Sequence, residues 1–227
     1  CSAPSTAPER RPSAAPPGFP AHFYERAAAR GEPVFRVDPG ASLVTLTVRR
    51  AGSLARLGHD HVVASHAVQG YVSTREGRAD LYVPLSELSV DEPALRAQAG
   101  LLTQPTAADI EGTRSNMQDK VLRVQEFPYA LVQVRGVDAQ ALAAGRAQAT
   151  VSVTLLGRSR SSTVPLELVS TAPRVGAGGT LELKQTDFGI APFSILGGAV
   201  QVKDEVEVRF DIQALRPDPG AHLSMKP

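Results

Sequence analysis

Val206-Glu207-Val208-Arg209-Phe210-Asp211-Ile212-Gln213 alternates apolar and polar side chains without a break. On an extended chain successive side chains point to opposite faces, so Val206, Val208, Phe210 and Ile212 share one face and the polar residues share the other. A period of two with one apolar face predicts an antiparallel strand lying between a core and water. The same period recurs upstream. Val44, Leu46 and Val48 alternate with Thr45, Thr47 and Arg49, and Val151, Val153 and Leu155 alternate with Thr150, Ser152 and Thr154. Tyr129 to Arg135 and the series Val164, Leu166, Leu168 continue it. Glycine-bearing segments between the runs, at Gly157-Arg158, Gly176 to Gly179 and Gly197-Gly198, predict turns. Many alternating strands joined by short turns predict an all-β sandwich or barrel.

One long interruption breaks the alternation, from Asp91 to about Val124. Asp91-Glu92-Pro93 predicts an N-cap with proline in the first turn of a helix running through Ala99. Thr106-Ala107-Ala108-Asp109 has the form of a capping box, and Ile110, Met117 and Val121 fall on one side of the helix that would follow. A third short helix is predicted from Pro20 to Gly31, with Phe23 and Ala27 on one side and Gly31 suited to end it.

Composition narrows the function. The 227 residues carry 24 Lys+Arg against 23 Asp+Glu, so no net basic field favours nucleic acid. A hydrophobic fraction of 42% supplies a sizeable core, yet no apolar run approaches the roughly 20 residues a membrane-crossing helix needs. G-x-S-x-G, P-loop, H-E-x-x-H and paired C-x-x-C motifs are missing, and Asp187-Phe188-Gly189 has no glycine-rich nucleotide loop beside it. The expectation is a protein that is not an enzyme.

The single cysteine is residue 1, and Cys1-Ser2 resembles the start of a bacterial lipoprotein after its leader is removed. That resemblance implies acyl chains on Cys1, a membrane anchor and, with Ser2 rather than aspartate following, the periplasmic face of the outer membrane of a Gram-negative cell. Residues 2–17 are rich in Ser, Ala and Pro and poor in large apolar side chains, a composition that predicts a disordered tether. The expected organisation is a lipidated tether with a short helix over 1–33, a barrel over 34–216 and a C-terminal tail over 217–227.

From Phe35 to Ala214 the chain resembles the YceI-like family of bacterial envelope proteins. The resemblance is carried by Phe35-Arg36-Val37-Asp38-Pro39-Gly40-Ala41-Ser42, Val90-Asp91, Val121-Leu122-Arg123-Val124-Gln125-Glu126-Phe127-Pro128 and Thr186-Asp187-Phe188-Gly189-Ile190. It implies a lipocalin-like antiparallel barrel of about eight strands that binds isoprenoid or other long-chain lipids. Many members carry Asp-x-His-Leu on the insertion helix, where this chain has Thr113-Arg114-Ser115-Asn116-Met117. Any role of that histidine is therefore not carried over.

A lumen for such a ligand is also expected on composition. Aromatics are 5% of the chain and tryptophan is absent, so inward positions filled by Val, Leu, Ile, Ala and Thr leave space. A core filled by its own side chains is the competing reading. Val44, Leu46, Val48, Val151, Val153, Phe188, Phe193 and Phe210 are the candidate apolar ligand contacts, with Pro192 to Leu196 as an apolar rim loop. Arg158 and Arg160, in a turn at Gly157-Arg158-Ser159-Arg160, are candidate headgroup contacts or solvated turn residues.

Gly58-His59-Asp60-His61 admits three readings. It is a turn in which Asp60 bonds neighbouring amides, a headgroup contact through His59 and His61, or a metal site built on those two imidazoles. His66 lies five residues on, and no third metal ligand is evident nearby. The expected function is a carrier or store of a polyprenyl or fatty lipid needing no other cofactor. Expected partners are that lipid and the membrane, with a homodimer also compatible. The alternative is a small hydrolase or metal-binding protein using His59, Asp60 and His61.

Overall fold

The computed structural model describes residues 15–217, so Cys1 and most of the expected tail lie outside the described residues. Twelve strands follow in order. They are β1 (Val34–Val37), β2 (Leu43–Ala51), β3 (His61–Ser65), β4 (Gln69–Ser73), β5 (Arg78–Pro84) and β6 (Ser89–Val90). After a helical insertion come β7 (Tyr129–Arg135), β8 (Arg146–Leu155), β9 (Arg158–Thr171), β10 (Arg174–Lys184), β11 (Ser194–Ile195) and β12 (Val200–Leu215).

Every strand pairing is antiparallel, and the last strand returns to the first: β12 bonds β10 on one edge and both β1 and β2 on the other. β1 and β2 are two halves of one wall, bent at Pro39–Ala41, where Asp38 accepts a hydrogen bond from the Gly40 amide at 3.0 Å. β3 and β4 form the next wall, because β3 pairs β2 while β4 pairs β1. β6 and β5 continue beside them in the same way. With β7, β8, β9, β10 and β12 the chain closes an eight-walled barrel.

The sequence expectations meet the structure unevenly. Gly197 and Gly198 do turn the chain, with φ of 62° and 90°. Gly176 to Gly179, expected as a turn, instead lies inside β10. The reason is steric: a Cβ on Gly179 would stand 2.8 Å from Cζ of Phe210, and one on Gly176 would stand 2.7 Å from the Gln213 side chain. Glycine here makes room for neighbours on β12 rather than bending the backbone. The β8–β9 turn is Leu156-Gly157, both at positive φ, so Arg158 and Arg160 belong to β9 and not to a turn.

Helices surround the barrel. Four are α1 (Ala21–Ala29), α2 (Pro93–Gln98), α3 (Ala107–Asn116) and α4 (Ala139–Ala144). α4, capped by Asp138 accepting from the Ala141 amide and ended by Gly145 in the left-handed region, places Leu142 across one end of the barrel. The other end, called the mouth below, carries the insertion. Thr106 and Asp109 bond reciprocally as a capping box, and Ile110, Met117 and Val121 pack on a buried layer that includes Leu85, Leu122, Phe188 and Ile190.

α1 lies on the outer wall. It ends in two hydrogen bonds, Gly31 amide to Ala28 carbonyl and Glu32 amide to Ala27 carbonyl, that Gly31 permits with φ of 78°. Tyr24 and Ala27 are its buried residues, and the Tyr24 ring stacks on Tyr71 of β4 at 5.3 Å. The Tyr24 hydroxyl donates to Asp80 of β5 at 2.5 Å, and Arg78 donates to the same carboxylate oxygen. Burial, reinforced by Asp80, pushes the Tyr24 hydroxyl well above the usual phenol range.

Candidate functional site

The site begins with the inward positions of the wall. Val44 and Leu46 on β2, Val151 and Val153 on β8 and Phe210 on β12 line one central cavity. So do Leu81, Val132, Ala177 and Val208 from other walls, and the cavity surface is apolar almost throughout. Its volume is about 220 Å³, on a measure in which one water takes roughly 10–15 Å³. The alternating runs therefore enclose a dry hollow, and the filled core is not what forms. Small inward residues explain it: valine, leucine and alanine dominate, and Phe210 is the one aromatic side chain on the cavity wall.

A second cavity of about 410 Å³ opens at the mouth, between α3, the β2–β3 connection and the β11–β12 hairpin. Val48, His59, His61 and Phe193 line it, with Asp109, Thr113 and Asn116 facing them from α3. Phe188 reaches neither cavity and is 2% exposed within the apolar layer between them. Thr186 anchors the segment carrying it: its amide and hydroxyl donate to Asp204 at 2.8 and 2.6 Å, which holds that carboxyl below the usual range.

The histidine cluster splits. Asp60 does not line the mouth cavity: it accepts from the Arg50 amide of β2 at 2.8 Å and faces Arg49 at 3.5 Å, a bond across to the adjacent strand rather than to a neighbouring amide as the turn reading has it. His61 opens β3, and its Nδ1 meets Asp91 Oδ2 at 2.6 Å. Asp91 also accepts from the Val62 amide at 3.0 Å and from Arg96 Nη1 at 2.5 Å. Burial acts to raise the Asp91 carboxyl, but the hydrogen bonds from His61, Val62 and Arg96 outweigh it and hold the group below its usual range. An ionised Asp91 only accepts, so His61 carries its proton on Nδ1 and has Nε2 left for other partners.

The His59 and His61 rings stand 6.3 Å apart, and no group of three or more His, Cys, Asp or Glu among the described residues could hold a metal ion. His66, which follows them, bonds Glu92 at 2.9 Å.

Asp91 and Arg96 were not legible as a pair. The sequence pattern assigns Asp91 to capping, whereas Glu92 holds the N-cap position of α2 without a side-chain cap hydrogen bond and Asp91 turns inward at φ of 57°, a conformation aspartate tolerates better than most residues. Arg96 is only 3% exposed and clamps the insertion to the wall through Asp91, the Asp60 carbonyl and Thr103. A buried arginine leaves no periodic trace.

Arg158 and Arg160 project from β9 near the mouth. Arg160 faces Asp187 at 4.0 Å, and the Arg158 guanidinium lies 2.7 Å from where a Cβ on Gly189 would stand. Gly189 has φ of 75°, so glycine serves both its backbone conformation and this close approach.

Comparison with known proteins places the barrel. The YceI-like domain family matches residues 35–214. No curated protein matches the chain. Among solved structures, a polyisoprenoid-binding domain from Saccharophagus degradans implicated in plant cell wall breakdown is similar, with a TM-score of 0.59 and 16% identity. That similarity covers 81% of this chain and 98% of that one. Burkholderia cenocepacia BcnA is similar with a TM-score of 0.52 and 14% identity, over 78% of this chain and 98% of its own.

Proposed function

The chain belongs to the YceI-like family, and on that footing we propose that it is a non-catalytic carrier or store of a long-chain lipid held in the barrel lumen. The observation that carries the proposal is the central cavity within the barrel with an almost wholly apolar surface. Apolar surface leaving water returns about 25 cal/mol per Å², so such a cavity favours an alkyl or prenyl chain over a polar guest. The polyisoprenoid-binding description of the Saccharophagus degradans domain supports an isoprenoid as the guest. The mouth, with His59 and His61, offers a wetter vestibule for the polar end of a ligand.

Native mass spectrometry of protein recovered from the producing cells tests this. The expected result is a bound species of several hundred daltons, extractable into organic solvent. Apo protein that takes up neither a prenyl alcohol nor a fatty alcohol would overturn the carrier reading.

The proposal extends to the surroundings: an acylated Cys1 and a position at the periplasmic face of the outer membrane. Radiolabelled palmitate should enter the wild type and not Cys1→Ala, with the labelled protein in the outer-membrane fraction. Labelling equal in both variants would remove the anchor from the proposal and leave the lumen untouched.

A further inference from the structure

The barrel wall has a seam between β9 and β10. β9 and β10 pair only from Arg174↔Thr171 to Gly178↔Glu167. Toward the mouth β9 runs on to Arg158 against β8, and β10 runs on to Lys184 against β12, without pairing each other. The sequence supplies a cause. Leu155↔Arg158 closes a two-residue turn, so hydrogen-bonded pairs with β8 fall on the even residues of β9. The Leu168 amide bonding the Gly145 carbonyl at 2.9 Å keeps that parity. Pro165 is odd, so its nitrogen faces β10 and has no hydrogen to donate.

The face of β9 changes character at the same place. Val164 and Leu166 point inward and are buried. Beyond them the inward positions are Ser162, Arg160 and Arg158, directly opposite Val151, Val153 and Leu155, which line the lumen. Directly opposed residues share a face of the sheet, so both arginines stand on the lumen side of their strand. Both are nevertheless exposed, because no strand covers that edge. At the closed end of the seam Leu166 and Phe210 line both the lumen and an outer groove of about 880 Å³.

From this arrangement we infer that Arg158 and Arg160 form the head site for a single-chain amphiphile with a phosphate-type anionic head, whose tail passes through the seam into the lumen. An apolar lumen flanked, beside an unpaired stretch of its wall, by two guanidiniums on the lumen-side positions of β9 matches a ligand with an oily tail and a compact anion. Guanidiniums bind phosphate oxygens in bidentate, charge-assisted hydrogen bonds. A slot also lets a chain enter sideways along its length rather than thread through the apolar layer at the mouth.

The inference rests on the lumen reading, and the test separates the two. Hexadecyl phosphate and hexadecanol share a tail and differ in the head. Their affinities are measured by calorimetry on the wild type, on R158Q/R160Q and on R26Q/R75Q, which loses the same charge elsewhere on the surface. The wild type is expected to bind the phosphate roughly ten- to a hundredfold more tightly than the alcohol. R158Q/R160Q should lose that preference while keeping its affinity for hexadecanol, and R26Q/R75Q should keep both. A preference that survives in R158Q/R160Q, or none in the wild type, overturns the head site alone. If the wild type binds neither probe, the carrier reading fails and takes this inference with it.

Discussion

Asp91 links the insertion to the wall through a single carboxylate, and its substitution isolates that link. Replacing it by asparagine keeps the shape but leaves the Arg96 guanidinium, only 4% exposed, without a charge partner. Breaking a buried pair from one side costs about 3–5 kcal/mol, so Asp91→Asn should lower the unfolding free energy by about 3 kcal/mol at neutral pH. The pH dependence has a definite sign. The folded-state pKa of Asp91 is depressed, so its stabilisation is present above the ordinary carboxylate range and is lost as pH falls through the folded value. Urea unfolding should find wild type and variant furthest apart at pH 7 and converging below about pH 4. A gap that stays constant with pH would reject the assignment. Reading single residues from sequence succeeded where the bond is local, as in the Thr106 and Asp109 box, and failed where partners are brought together by the fold, as with Tyr24 and Asp80.

At the scale of elements, β9 offers the sharpest measurement. Its even residues bond β8, while the amides of Ser159, Ser161 and Thr163 face the unpaired edge. Hydrogen exchange should therefore alternate along the strand, fast at Ser159, Ser161 and Thr163 and slow at Arg160, Ser162 and Val164. Uniform protection would mean that β10 pairs this edge in solution. Gly179→Val addresses the neighbouring strand. Its Cβ would collide with Phe210 and approach the Pro165 carbonyl at 3.1 Å, so a loss of about 1–3 kcal/mol is expected in thermal or denaturant unfolding. Period-two alternation revealed β2, β8 and β12 directly because one face of each is apolar. It failed at β10, where glycine gives no face to read, and at Arg158 and Arg160, where a lumen-side position carries charge.

The whole molecule is a barrel with a helix fastened to its outside. Tyr24→Phe removes one donor from the buried Asp80 carboxylate and should cost about 1–3 kcal/mol in global unfolding, although the residue lies far from the lumen. Filling the hollow should have the opposite character. Ala177→Leu adds bulk to a lumen wall with empty space before it, so lipid affinity should fall at least about tenfold while the unfolding midpoint holds or rises. Unchanged affinity would place the lipid elsewhere. The barrel and its hollow were legible because they follow from alternation and side-chain volume summed over many residues. The split walls and the seam were not, since each depends on where a few hydrogen bonds stop.

That seam alters the mechanics of the tube. A cylinder stitched all the way round has a fixed girth, and widening it means rupturing a ladder. A sleeve slit along part of its length spreads by flexing, with every stitch elsewhere intact. The mouth half of this barrel is therefore expected to gape and spring back around contents of unequal thickness, as a split collar grips rods of several diameters.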